Sequence, residues 1–85
     1  MLNLISYMKK ELEFYAKKYF DEKNYLECIK TCYKMISIDP HAEWTYHLLG
    51  LCYMNLKMYS QAKGCFATIN LNELIELCDS QSNIN

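Results

Sequence analysis

The chain repeats itself. Slid back so that Tyr53 falls on Tyr19, it also sets Tyr59 on Tyr25, Gly50 on Ala16, Leu49 on Tyr15, Ala62 on Cys28 and Phe66 on Cys32. Small residues stay on small ones, and aromatic or apolar residues stay on apolar ones. A period of about 34 residues marks stacked supersecondary units, each burying its apolar face against the next. Within each copy the apolar residues recur every three or four positions, the period of an amphipathic helix. The expected fold class is therefore all-α, built from short-linked antiparallel helices.

The spacing predicts five helices. The first runs from Met1 to about Phe20, with Ile5, Met8, Leu12, Tyr15 and Tyr19 as an apolar stripe. Asp21-Glu22-Lys23 makes a turn. Asn24 is placed to cap a second helix from Tyr25 to Ser37, with Glu27 three residues on completing a capping box. Its apolar face is Cys28, Ile29, Cys32, Met35 and Ile36. Pro40 stops that helix and suits the first turn of a third, from about His41 to Leu56, with Asp39 as its cap. Lys57-Met58 leads to a fourth helix from Tyr59 to Ile69. Asn72 is placed to cap a short fifth helix, about residues 73–79, which acts as a C-terminal cap. Residues 81–85 read as a frayed polar tail.

The motif aromatic-x2-Leu-Gly-x2-Tyr at Tyr46, Leu49, Gly50 and Tyr53, followed by Tyr59, Ala62-x3-Phe66, resembles the tetratricopeptide repeat. Ala16, Tyr19, Tyr25, Cys28, Cys32 and Pro40 stand at the matching positions of a first copy. The resemblance covers residues 9–71 and gives two repeats, about 9–42 and 43–71, in one domain over residues 1–80. It implies helical hairpins in a right-handed superhelical array. It also implies that a small residue at position 50 lets the paired helix come close. In this family the inner faces of the first helices of the repeats form a ligand groove. The residues that fall there are Phe14, Lys17 and Phe20 from one helix and Trp44, His47, Leu48, Leu51 and Met54 from another, with Lys10, Glu13, Asp21 and Asn55 on the same faces.

Such a groove implies a non-catalytic interaction module, an adaptor or assembly subunit that binds a helix or apolar peptide, with Trp44 as anchor. An apolar stripe on a soluble chain is usually covered. Here the cover is another protein, a second copy in a structural homodimer, or the chain's own fifth helix. The family's clamp for chaperone C-terminal tails does not fit. It needs Lys and Asn where this chain has Glu13, Lys17 and Leu48; Glu13 repels a carboxylate and Leu48 donates nothing.

Other chemistry is argued against residue by residue. All nine basic residues are Lys and the net charge is −1, so the planar fork that reads bases and grips phosphates is missing, and nucleic acid is not an expected partner. No apolar run nears the length of a membrane span, and residues 1–8 lack a basic start and a cleavage site. Five Cys without a CxxC pair read as reduced thiols of a cytoplasmic or nuclear protein. Cys28 and Cys32, four apart, have a spacing that can hold a metal, yet both fall on core positions of the repeat, where Cys packs as a small hydrophobe. No metal, cofactor or catalytic set is expected, and His47 reads as a hydrogen-bond donor on the groove rim rather than a general base.

Overall fold

The computed structural model describes residues 3–83. Five helices account for nearly all of them: α1 (Leu4–Asp21), α2 (Tyr25–Ile38), α3 (Glu43–Asn55), α4 (Tyr59–Thr68) and α5 (Asn72–Asn83). Among the described residues there is no strand. Each helix packs on the next in sequence, α1 on α2, α2 on α3, α3 on α4 and α4 on α5. None of them is long and apolar enough to cross a membrane.

Three of the four links are the same device. Lys23, Lys57 and Asn70 have positive φ, close to 60° in each case. The amide of the following residue donates five residues back: Asn24 to Tyr19, Met58 to Tyr53 and Leu71 to Phe66, at 2.8, 2.8 and 2.9 Å. The amides of Lys23, Lys57 and Asn70 themselves reach back three residues, to Phe20, Met54 and Ala67. This paired pattern is the Schellman closure, which satisfies the last carbonyls of a helix and reverses the chain in a short link. Lys23 and Lys57 lie one repeat apart, so the sequence period and the backbone geometry coincide.

Several boundaries differ from the sequence expectation. Asn24 precedes α2 but makes no side-chain capping bond, and no capping box forms with Glu27. Glu27 pairs instead with Lys30 at 3.1 Å. Asp39 does not cap α3: it ends α2, and its carboxylate accepts from the His41 amide and from Lys9 Nζ. With Asp39 so engaged, α3 starts at Glu43, after Ala42, and Pro40 sits in the link rather than in a first turn. The helix at the other end is longer than expected. α5 continues through Gln81 to Asn83, where Ser82 Oγ donates to the Asp79 carbonyl, so residues 81–83 are helical and not a frayed tail. At the start, Asn3 caps α1 by accepting from the Ile5 amide; Met1 and Leu2 of the expected first helix lie outside the described residues.

The interior divides into two clusters. One joins α1, α2 and α3 around Ala16, Cys28, Cys32, Met35, Leu48, Leu49 and Cys52, with Cys65 of α4 at its edge. The other joins α4 and α5 around Ala62, Phe66 and Cys78. At Gly50, α3 comes close to the Phe66 ring of α4. A Cβ there would collide with Cε1 and Cζ of Phe66, whose ring is wholly buried. The small residue at position 50 is thus a steric requirement of the pair. The apolar stripe expected on α1 is divided by the fold: Leu12 and Tyr19 pack on the first cluster, whereas Ile5, Met8 and Tyr15 stay exposed.

Candidate functional site

Three of the sequence-predicted groove residues, Lys17, Trp44 and His47, come together where α1, α3 and the α4–α5 link meet. Trp44, on the first turn of α3, is half-buried against the first cluster. Lys17 Nζ of α1 stands 5.4 Å from the centroid of its indole ring, a cation–π contact between helices. Two shallow clefts flank the indole. One, of about 270 Å³, has Lys9, Lys10 and Glu13 on the α1 side and Trp44 and Thr45 on the α3 side. The other, of about 300 Å³, is lined by Glu43, Trp44, His47, Ile69 and Leu71. His47 continues into a third cleft of about 450 Å³ with Leu71, Glu73 and Leu74, and its ring lies 6.3 Å from that of Phe66.

The charges on this surface are mixed. The α1 side carries Lys9, Lys10 and Lys17 with Glu13 among them, and the side toward α5 carries Glu43 and Glu73. Lys9 is already paired with Asp39 at 2.8 Å, and that contact holds the Asp39 carboxyl below its usual range. Thr45 Oγ1, at the floor of the first cleft, is buried with no hydrogen-bond partner. Such an orphan hydroxyl carries a desolvation cost.

The remaining groove candidates lie elsewhere. Leu48 is a core residue, packed with α2 in the first cluster and not open to a ligand. Its position one helical step from Trp44 and Leu51 suggested the inner groove stripe, but it is buried in the first cluster. Leu51 and Met54 pack against the second cluster and face Leu77 and Gln81 of α5 across a cleft of about 280 Å³. The terminal helix therefore shields this part of the expected groove. Phe20 packs edge-on to Tyr25, with ring centroids 5.6 Å apart. Phe14 is exposed and meets only the ring of Tyr15 among aromatic neighbours; it lines none of the clefts beside Trp44. The contiguous apolar groove expected from spacing is replaced by one indole between two small, mixed-polarity clefts. Sequence reasoning passed over Thr45 and Leu71. Thr45 sits next to Trp44, but a lone Thr in a helix gives no signal of its own.

The cysteines form an internal group. All five are free and buried. Cys28 Sγ donates to the Ala16 carbonyl at 3.3 Å, and Cys32 and Cys52 share its buried cluster. The neighbouring Cys28 thiol and burial push Cys32 and Cys52 well above the ordinary thiol range. Burial raises Cys65 to about 11. With the sulfurs fully enclosed, the group is packing, the role expected for Cys28 and Cys32. Among the described residues, no group of three or more His, Cys, Asp or Glu is arranged to hold a metal ion.

No protein-family model matches the chain, and neither a curated protein nor a solved structure matches it.

Proposed function

We propose that this chain is a non-catalytic protein–protein interaction module, an adaptor or assembly subunit of tetratricopeptide-like architecture, with Trp44 as its anchor. In this reading α1/α2 and α3/α4 are the two repeats, α5 is the terminal cap, and α1, α3 and α5 line the inner face. The equal turns at Lys23 and Lys57 and the Gly50–Phe66 contact support the assignment. The observation that carries the function is the half-buried indole of Trp44 between two clefts, with Lys10 and Lys17 beside Glu13 toward α1 and an acidic rim toward α5. Large aromatic side chains in such settings dominate binding energy. The ligand is a segment of another protein that lays an apolar side chain against Trp44, with its acidic end toward Lys10 and Lys17 and its basic end toward Glu43 and Glu73.

Leu48, one of the positions the chaperone-tail clamp would use, is buried, which supports leaving that ligand out of this reading. Five free thiols in the interior fit a cytoplasmic or nuclear protein, since a reducing compartment keeps them unpaired.

The test uses the only Trp in the chain. A partner co-purified with the full chain is identified by mass spectrometry and titrated while Trp44 emission is followed. The expected result is a blue shift on binding and a loss of at least about tenfold in affinity for Trp44→Ala, with helicity unchanged. A partner that binds Trp44→Ala as tightly as the parent chain, without moving the emission, overturns the assignment.

A further inference from the structure

The two ends of the helical stack are finished differently. A stack of helical hairpins needs a polar outer face at each end to stay dispersed. On α5, Glu73, Glu76, Asp79, Ser80, Ser82 and Asn83 are exposed, with Leu77 the one large apolar residue exposed among them. At the α1 end, Leu4, Ile5, Met8 and Tyr15 are between 40 and 70 % exposed. The internal repeat makes the contrast sharper. The positions of α3 that lie one repeat beyond Glu11, Phe14 and Tyr15 are Thr45, Leu48 and Leu49, and all three are buried beside α2. On α1 no described residue takes that covering role.

The uncovered face is also shaped. Met8, Glu11, Leu12 and Tyr15 of α1 and Lys34 and Ile38 of α2 line a cleft of about 390 Å³. Ile5, Met8 and Tyr15, with the half-buried Leu12 between them, follow steps of three and four, the seam of a helix that packs lengthwise on another helix. Glu11 and Lys34 stand on opposite walls of the cleft, and neither belongs to an ion pair among the described residues.

We propose that this cleft is the interface of a two-fold homodimer, in which α1 of each copy packs along α2 of the other. An axis running along the cleft, parallel to α1 and α2, carries α1 onto the partner's α2 at unchanged height. Glu11 then meets Lys34 of the partner subunit, and Lys34 meets the partner subunit's Glu11. One cleft with an acid on one wall and a base on the other is self-complementary under that operation, so each pair forms twice. The Met8, Leu12 and Tyr15 row is covered at the same time by the Ile38 end of the partner's helix. The result is a four-helix core that closes the open end of the stack. The Trp44 surface, on another side of α1, stays free, so this inference stands apart from the proposed partner site.

The experiment is size exclusion with light scattering on the full chain at low and high micromolar concentration, with circular dichroism as the check on folding. The expected mass is twice 10.1 kDa. Glu11→Lys and Lys34→Glu should each weaken the dimer by about tenfold, because each creates two like-charge contacts. The double variant, with both charges exchanged, should restore it. Met8→Ser, an uncharged change at an exposed position, should weaken it without loss of helicity. A monomer at every concentration overturns the proposal. So does a dimer that both single reversals leave unchanged, or one that the exchanged double variant fails to restore.

Discussion

The two hairpins share a backbone plan and fill it in opposite ways. In the first, α1 offers Ala16 and α2 offers Cys28 and Cys32, three small buried residues, with the Cys28 sulfur donating to the Ala16 carbonyl. In the second, the positions one repeat on are Gly50, Ala62 and Phe66, and one large ring fills the space that a missing Cβ leaves. Ala against Cys and Gly against Phe are two solutions to one constraint, a fixed distance between paired helices. Close packing makes the sum of the facing volumes matter more than either member. The hairpins should therefore respond very differently to the same kind of substitution.

The largest difference is expected at the ring. Phe66→Ala removes a wholly buried aromatic and should cost about 3–5 kcal/mol in denaturant unfolding. Cys32→Ala, the equivalent change in the first hairpin, removes one sulfur and should cost about 1–2 kcal/mol. In a chain this short the first loss is comparable to the whole stability. The comparison fails if the two costs prove equal, since the second hairpin would then not depend on its ring.

Glycine gives the next step down. Gly50→Ala adds helix propensity of about 1 kcal/mol but drives a methyl into the Phe66 ring. Overpacking of this kind costs about 1–3 kcal/mol, and the buried ring has no room to retreat, so the net effect should be destabilising. Gly64→Ala is the control. It lies mid-helix in α4 with open space around its Cβ position, so it should stabilise by about 0.5–1 kcal/mol. Thermal melts of the two variants should move in opposite directions; a stabilising Gly50→Ala would mean that α3 and α4 do not pack this closely.

Much of this plan is legible in the sequence. The repeat period sets Gly50 on Ala16 and Phe66 on Cys32 and locates the turns between helices, because those depend on local chemistry and on residue size. Other features are settled only by tertiary contacts. Asp39 and Pro40 read as a helix start, but Lys9, thirty positions away, engages the Asp39 carboxylate and α3 begins later. Gln81 to Asn83 read as a tail because they are polar, yet an amphipathic α5 needs only Leu74, Ile75 and Cys78 to be held. The binding stripe on α3 is the least legible part. Trp44, Leu48, Leu49, Leu51, Cys52 and Met54 leave α3 apolar nearly all round, so spacing alone does not separate the face under α2 from the face toward α5.

The turns offer a smaller test of equivalence. Lys23 and Lys57 both occupy the left-handed region, where a residue with a Cβ is strained and Gly is not. Lys23→Gly and Lys57→Gly should each stabilise, by about 0.5–1 kcal/mol and to similar extents, since the two sites share one geometry. A gain at one turn only would show that the hairpins close differently.

The smallest effect separates the hairpins by charge. The first hairpin is tied at its far end by Lys9 and Asp39, which joins α1 to the link beyond α2. The side-chain hydrogen bond from Lys9, helped by the His41 amide, lowers the Asp39 pKa from its ordinary 3.8. A depressed carboxyl pKa gives stability that is present above the unfolded value and disappears as pH falls through the folded one. Stability should thus be flat in this respect above about pH 5 and decline below about pH 4, and Lys9→Ala should remove part of that decline. Both side chains are partly open to water, so the change will be small and weakened by salt. Urea midpoints measured for the parent chain and Lys9→Ala at pH 3 and pH 7 decide it: if the two chains differ equally at both values, the lysine contributes packing of its stem and not its charge.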